Sequence, residues 1–129
     1  MGCSIHAHVE VVRRDRKKAE YYAQVPIYAG EDYTIFTLLA DVRNFSNFVK
    51  PISELKGLPA DISETTRKES RGRDDHSHSW LSLKELKRAQ RRFIALKKYE
   101  HYYLKAIIAL MKGLENKSCK PRLVFWFDN

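Results

Sequence analysis

The sequence predicts an α+β fold: a small antiparallel sheet, made of an N-terminal hairpin and a buried C-terminal strand, packed by one short and one long α-helix. Three observations carry this. Residues 3–11 alternate apolar and polar in strict period two, residues 83–112 hold an apolar seam at spacings of three and four, and residues 123–127 are five consecutive apolar residues. A chain of 129 residues has room for one domain, 1–129, with enough buried surface for a core that needs no staples.

Each element follows from a local pattern. In the first strand Cys3, Ile5, Ala7, Val9 and Val11 fall on one face, and Ser4, His6, His8 and Glu10 on the other. The run Arg13 to Lys18 reads as a charged turn. A second strand follows over Glu20–Tyr28, in which Pro26 demands an edge position or a bulge. Gly30, Glu31 and Asp32 end this segment, and Asp32 is a suitable N-cap for a helix over 33–43 whose apolar positions are Ile35, Phe36, Leu38, Leu39 and Val42. Residues 44–79 hold Pro51, Gly57, Pro59 and Gly72 among serines and charges, and read as a long connection with one short helical turn. Ser82 and Glu85 form a capping box that opens a helix running to about Lys112, stopped by Gly113. A helix of about 30 residues would span about 45 Å. It must therefore bend near Tyr99–Tyr102 or project to meet a second copy of the chain. The final strand starts at Pro121, and its unbroken apolar run implies burial on both faces, hence a central place in the sheet.

Composition narrows the function classes. The net charge of +8 favours an anionic partner such as a nucleotide, another phosphate compound or nucleic acid. Nine of the 29 residues from Lys84 to Lys112 are basic, against Glu85 and Glu100, so a nucleic-acid or host-protein surface on this helix is one reading. Two cysteines, Cys3 and Cys119, make no disulfide scaffold. No apolar run is long enough for a spanning helix and the N-terminus has no leader character, so a cytoplasmic protein without membrane partners is expected.

Four of the five histidines occur as two His-x-His pairs, His6/His8 and His76/His78. Residues two apart on a strand point the same way, with side chains roughly 6–7 Å apart, close enough to converge on one ion or anion. The second pair follows Arg73, Asp74 and Asp75 and precedes Trp80. If the first and last strands pair, His6 and His8 come near Asp128, and the loop carrying Asp75, His76 and His78 closes over the same spot. Three readings follow. The imidazoles and Arg73 hold an anionic ligand, with Trp80 or a tyrosine stacked on a base and Arg43 and Lys56 reaching a phosphate. Alternatively His6, His8, Asp75, His76 and His78 ligate a divalent metal (Zn, Mn or Fe) that activates water against a phosphoester. In the third, the histidines are ordinary strand and loop residues without a joint role.

These segments resemble those of a group of small bacteriophage and prophage proteins. Those proteins open with Met-Gly-Cys-Asp-Ile-His, carry Gly-Leu-Pro-x-Asp-Ile-Ser and Asp-x-His-Ser-His-Ser-Trp-Leu, and end near Val-Phe-Trp-Phe-Asp-Asn. The counterparts here are Met1 to His6, Gly57 to Ser63, Asp74 to Leu81 and Val124 to Asn129, with Ser4 in place of the Asp. The resemblance implies a phage origin. By analogy with phage proteins that capture or cleave nucleotide immune signals, often as symmetric oligomers, it implies a host-takeover or anti-defence role in the host cytoplasm. The leading expectation is therefore a homo-oligomeric protein that sequesters a nucleotide-derived phosphate ligand. The alternatives are a metal-dependent phosphoester hydrolase at the same histidines and a binder acting through the basic helix.

Overall fold

A computed structural model describes residues 2–29, 32–45 and 49–129. Met1 of the phage-like motif, Gly30 and Glu31 at the expected end of the hairpin segment, and residues 46–48 of the expected connection lie outside them. The fold is α+β, with the four-stranded antiparallel sheet order β2-β1-β4-β3.

Strands β1 (Ser4–Arg13) and β2 (Glu20–Val25) form the hairpin, with a bulge at Val9/Glu10. β2 is an edge strand and stops before Pro26, because proline has no N–H to extend the ladder to Tyr28. Helix α1 spans Thr34–Ala40, shorter than the 33–43 expected. Tyr33 is its N-cap in a left-handed conformation, and Asp32 reaches past it to accept from the Thr34 N–H at 3.1 Å.

The connection read over 44–79 contains two regular elements. Helix α2 (Glu64–Glu69) is capped by Ser63, whose side chain accepts from the Thr66 N–H. Strand β3 (His76–Ser82) is an edge strand whose alternation is broken by a bulge between His76 and Ser79, which is why its period is hidden in the sequence. Ser82 ends β3 and also N-caps helix α3 (Leu83–Lys97), with the capping box to Glu85 complete.

The long helix bends sharply enough to become two. α3 ends at Lys98 in a left-handed conformation, and α4 (Tyr102–Leu114) starts at His101, whose ring accepts from the Leu104 N–H at 3.3 Å. The buried Gln90 side chain donates to the His101 carbonyl and accepts from its N–H, both at 3.0 Å, and so fixes the corner. Gly113 lies inside α4 rather than ending it. Most of the seam folds back on the chain's own sheet: Leu86, Ala89, Phe93 and Ile107 are buried and Tyr103, Leu110 and Leu114 half-buried, while Leu96 is exposed.

Strand β4 (Cys119–Asp128) is central, paired with β1 from Ser4↔Asp128 to Arg13↔Cys119 and with β3 on its other side. Its two faces have different fates. Leu123, Phe125 and Phe127 join Ala7, Val9 and Leu81 in the core under α1, α3 and α4. Arg122, Val124 and Trp126 join His6, His8, Glu10, His78 and Trp80 on the opposite face. Segment 56–70 covers most of that face. No helix among the described residues is long and apolar enough to cross a membrane.

Candidate functional site

The polar face of the sheet is not simply a solvent face. Arg122 and Glu10 are cross-strand partners, 6% and 0% exposed, joined at 2.8 and 3.1 Å, and Arg122 also reaches Asp61 at 2.7 Å. The second Glu10 oxygen accepts from the Ser63 N–H at 3.0 Å. These bonds pin the segment carrying α2 onto the sheet, and a buried ion pair persists only with such full satisfaction.

His8 belongs to this packing. It is 1% exposed, with Nδ1 2.9 Å from the Thr66 hydroxyl and Nε2 2.9 Å from a Glu69 carboxylate oxygen. Burial lowers its pKa below the usual histidine value and outweighs the opposing pull of Glu69. His78 donates from Nε2 to the Ser70 carbonyl at 2.9 Å. Both rings pack around the buried Trp126, His78 stacked at 6.3 Å and His8 edge-on at 5.1 Å. Two of the four paired histidines thus hold segment 56–70 against the sheet.

The bulge in β3 splits the second pair. Ser77 has φ +57°, and the register advances three residues in β3 for two in β4. His76 therefore stands beside Phe127 on the helix-packed face, bonded to Asn129 at 3.3 Å and Ser77 at 2.9 Å, whereas His78 stands beside Trp126 on the other. His6 and His76 flank β4 from either side, about 10 Å apart by two strand spacings. Their rings serve opposite faces.

The same half-turn of phase brings Asp75 onto the His6 side. A ligand atom from each of His6, Asp75 and Asp128 lies within 4.8 Å of the other two. His6 Nε2 is 2.5 Å from Asp128 Oδ2, and the ring stacks on Trp126 at 5.7 Å. Asp75 Oδ2 accepts from the Gly72 N–H at 2.8 Å, which orients its carboxylate. His6 and Asp128 are little more than a third exposed, so the cluster sits at an open rim. One imidazole and two carboxylates are a donor set for a hard or borderline divalent cation, and three protein ligands leave coordination positions open. His6 also borders a cavity of about 450 Å³ that opens where β2 leaves β1 after the Ala7↔Val25 pair, lined further by Cys3, Ser4, Gln24, Pro26 and Tyr28.

The remaining predicted residues are dispersed. Arg43 donates to the Gly2 carbonyl at 3.3 Å and lies 5.4 Å from the Tyr33 ring, at the end of β1 that carries Ser4. Arg73 is exposed in the 72–75 turn that precedes β3. Lys56 and Trp80 belong together elsewhere: the ammonium sits 4.0 Å from the indole centroid and 2.5 Å from Glu85, near the start of α3. Sequence reasoning missed the Glu10–Arg122–Asp61 network and the Thr66 and Glu69 partners of His8. Its available signal was Glu10 and Arg122, opposite charges at matching positions of two strands whose adjacent residues Val9, Val11, Pro121 and Leu123 are apolar.

Comparison with protein-family models, with curated proteins and with solved structures gives no match, so the site is read from its own geometry.

Proposed function

We propose that the chain is a metal-dependent phosphoester hydrolase acting on a nucleotide-type phosphate ligand. The observation that carries this reading is the convergence of His6, Asp75 and Asp128 donor atoms within 4.8 Å at an open rim. A divalent ion held there supplies a water of lowered pKa and neutralises charge on a phosphate. His6, held flat by Trp126, and Asp75, held by the Gly72 N–H, keep their donor atoms directed at one point. The guanidinium of Arg73, two residues before Asp75, is available to a phosphate oxygen, and the cavity beside His6 has room for the rest of the ligand against Tyr28. Direct capture of an anion by the imidazoles is the weaker reading. Two carboxylates flank His6, and they repel a phosphate unless a cation lies between. The phage resemblance makes an immune nucleotide signal a natural substrate class for such an activity.

The test is calorimetric titration of the purified chain with Mn²⁺ and Zn²⁺, followed by mass spectrometry of a cyclic dinucleotide incubated with the loaded protein. One ion per chain should bind, more weakly at about pH 5.5 than at about pH 7.5 because protons compete for the ring nitrogen. His6→Ala and Asp128→Asn should each abolish both binding and turnover. An Asp128→Asn protein that binds the ion as tightly as the native chain removes the site, and a loaded protein that returns the dinucleotide intact removes the hydrolase.

A further inference from the structure

Helix α4 is apolar on more sides than the fold covers. Between Tyr102 and Leu114 it has only two charged residues, Lys105 and Lys112, yet only Leu104, Ile107 and Met111 are buried. Ala106 and Ala109 are exposed, and Ile108 is half-buried. A helix apolar all round is normally enclosed. Alongside it runs a groove of about 420 Å³ between α4 and α3, lined by the half-buried Ile108, the exposed Ala109 and the edge of the buried Gln90.

The charges on this groove are one-sided. Lys87 and Arg91 border it from α3 and Lys105 and Lys112 from α4, against Glu100 alone. Lys105 lies 3.9 Å from Glu100, while Lys87, Arg91 and Lys112 have no anionic partner among the described residues. Lys87 and Arg91 are one turn apart on α3 and Lys105 and Lys112 two turns apart on α4, so the cations form two rows about 6 and 10 Å long, with Ile108 and Ala109 between the two lysines of α4. A third helix laid in such a groove would bury Ile108 and Ala109 and place its own flanking side chains against both rows.

We propose that the α3–α4 groove is a docking site for an acidic amphipathic helix of a partner protein, one with an apolar stripe flanked by Asp and Glu. Charge complementarity selects this occupant. A second copy presenting the same face would set Lys87, Arg91, Lys105 and Lys112 against themselves. A nucleic-acid strand would lay phosphates over Ile108 and Ala109 and find no aromatic ring in the lining on which to stack a base.

The experiment is selection from a displayed library of helix-forming peptides the length of α4 against the full chain. Binding is then measured by fluorescence anisotropy for the native protein, Lys87→Glu/Arg91→Glu and Lys105→Glu/Lys112→Glu. Enriched peptides should carry apolar residues at i, i+3 and i+4 with flanking acids. Each double reversal should weaken them by at least about tenfold while leaving the melting temperature and His6 metal binding unchanged. The proposal is overturned by enrichment of neutral or basic peptides, by no enrichment, by affinity indifferent to both reversals, or by an oligonucleotide that displaces the peptides at equal charge. A dimer in light scattering that either reversal alters would instead assign the groove to a second copy and overturn it as well.

Discussion

Removing the Arg122 guanidinium should destabilise the protein more than almost any other single surface-to-core change, and the size follows from what is left behind. In Arg122→Met, Glu10 remains fully buried and keeps one donor, the Ser63 N–H at 3.0 Å, after losing two contacts at 2.8 and 3.1 Å. Breaking a buried pair from one side costs about 3–5 kcal/mol. An ordinary glutamic acid can take up a proton at pH 7 for about 4 kcal/mol, so neutralisation sets a ceiling near that figure. For a domain of this size the loss corresponds to a fall in Tm of roughly 10–18 °C. Glu10→Gln/Arg122→Met removes the stranded charge but keeps the acceptor for Ser63, and should recover to within about 1–1.5 kcal/mol of the native chain. Urea unfolding followed by circular dichroism at neutral and mildly acidic pH measures both, and the single variant's deficit should shrink as pH falls. A deficit below about 1 kcal/mol for Arg122→Met, or a double variant as unstable as the single one, would refute the reasoning that this network pins segment 56–70 to the sheet.

Other predictions come from the same structure. His8 and His101 both have pKa values lowered from 6.5, chiefly by burial, so the folded chain resists protonating either ring. As pH falls through about 6.5 the unfolded chain protonates before the native state does, so stability should fall by up to about 1.4 kcal/mol per pH unit for each histidine until the native ring itself protonates. His101→Asn, which retains a helix-capping oxygen, should flatten that slope in thermal melts, and an unchanged slope would count against His101 as a contributor. Ser4 faces the same side as His6 and is the cross-strand partner of Asp128, so Ser4→Asp adds a third carboxylate to the cluster. It should raise divalent-ion affinity on the order of tenfold, and calorimetry showing no gain would argue that Ser4 lies outside the coordination sphere. A Cβ at Gly72 would stand 2.6–2.8 Å from the Asp75 carboxylate, which can swing away. Gly72→Ala should therefore weaken ion binding with little change in Tm, and undiminished binding would remove Asp75 from the ligand set. Deleting residues 126–129 removes Trp126 and Phe127, 2% and 0% exposed, at about 3–5 kcal/mol each, and should leave no cooperative thermal transition.

What the sequence determined by itself is whatever rests on short-range periodicity. The strict alternation of residues 3–11 placed His6, His8 and Glu10 on one face. The unbroken apolar run 123–127 required a central strand, and Ser82 with Glu85 announced the start of α3. Pro26 marked the edge strand for the same reason: the missing N–H is a property of one residue. Tertiary structure alone decided which of the predicted ligands meet. One inserted residue at Ser77 turns His76 and His78 to opposite faces and carries Asp75 to the His6 side, and a one-residue phase shift leaves no trace in composition or spacing. The burial of His8 and Glu10 likewise depends on Thr66, Glu69, Asp61 and Ser63, more than fifty residues away, folding back over a face that alternation assigns to solvent. Helix length alone demanded a bend near Tyr99–Tyr102 or a projecting helix, and the choice of a corner at Lys98–His101 is made by Gln90 from the preceding helix, without proline or glycine to signal it. Long-range closure decided these features, because each depends on a side chain meeting a partner that local pattern does not name.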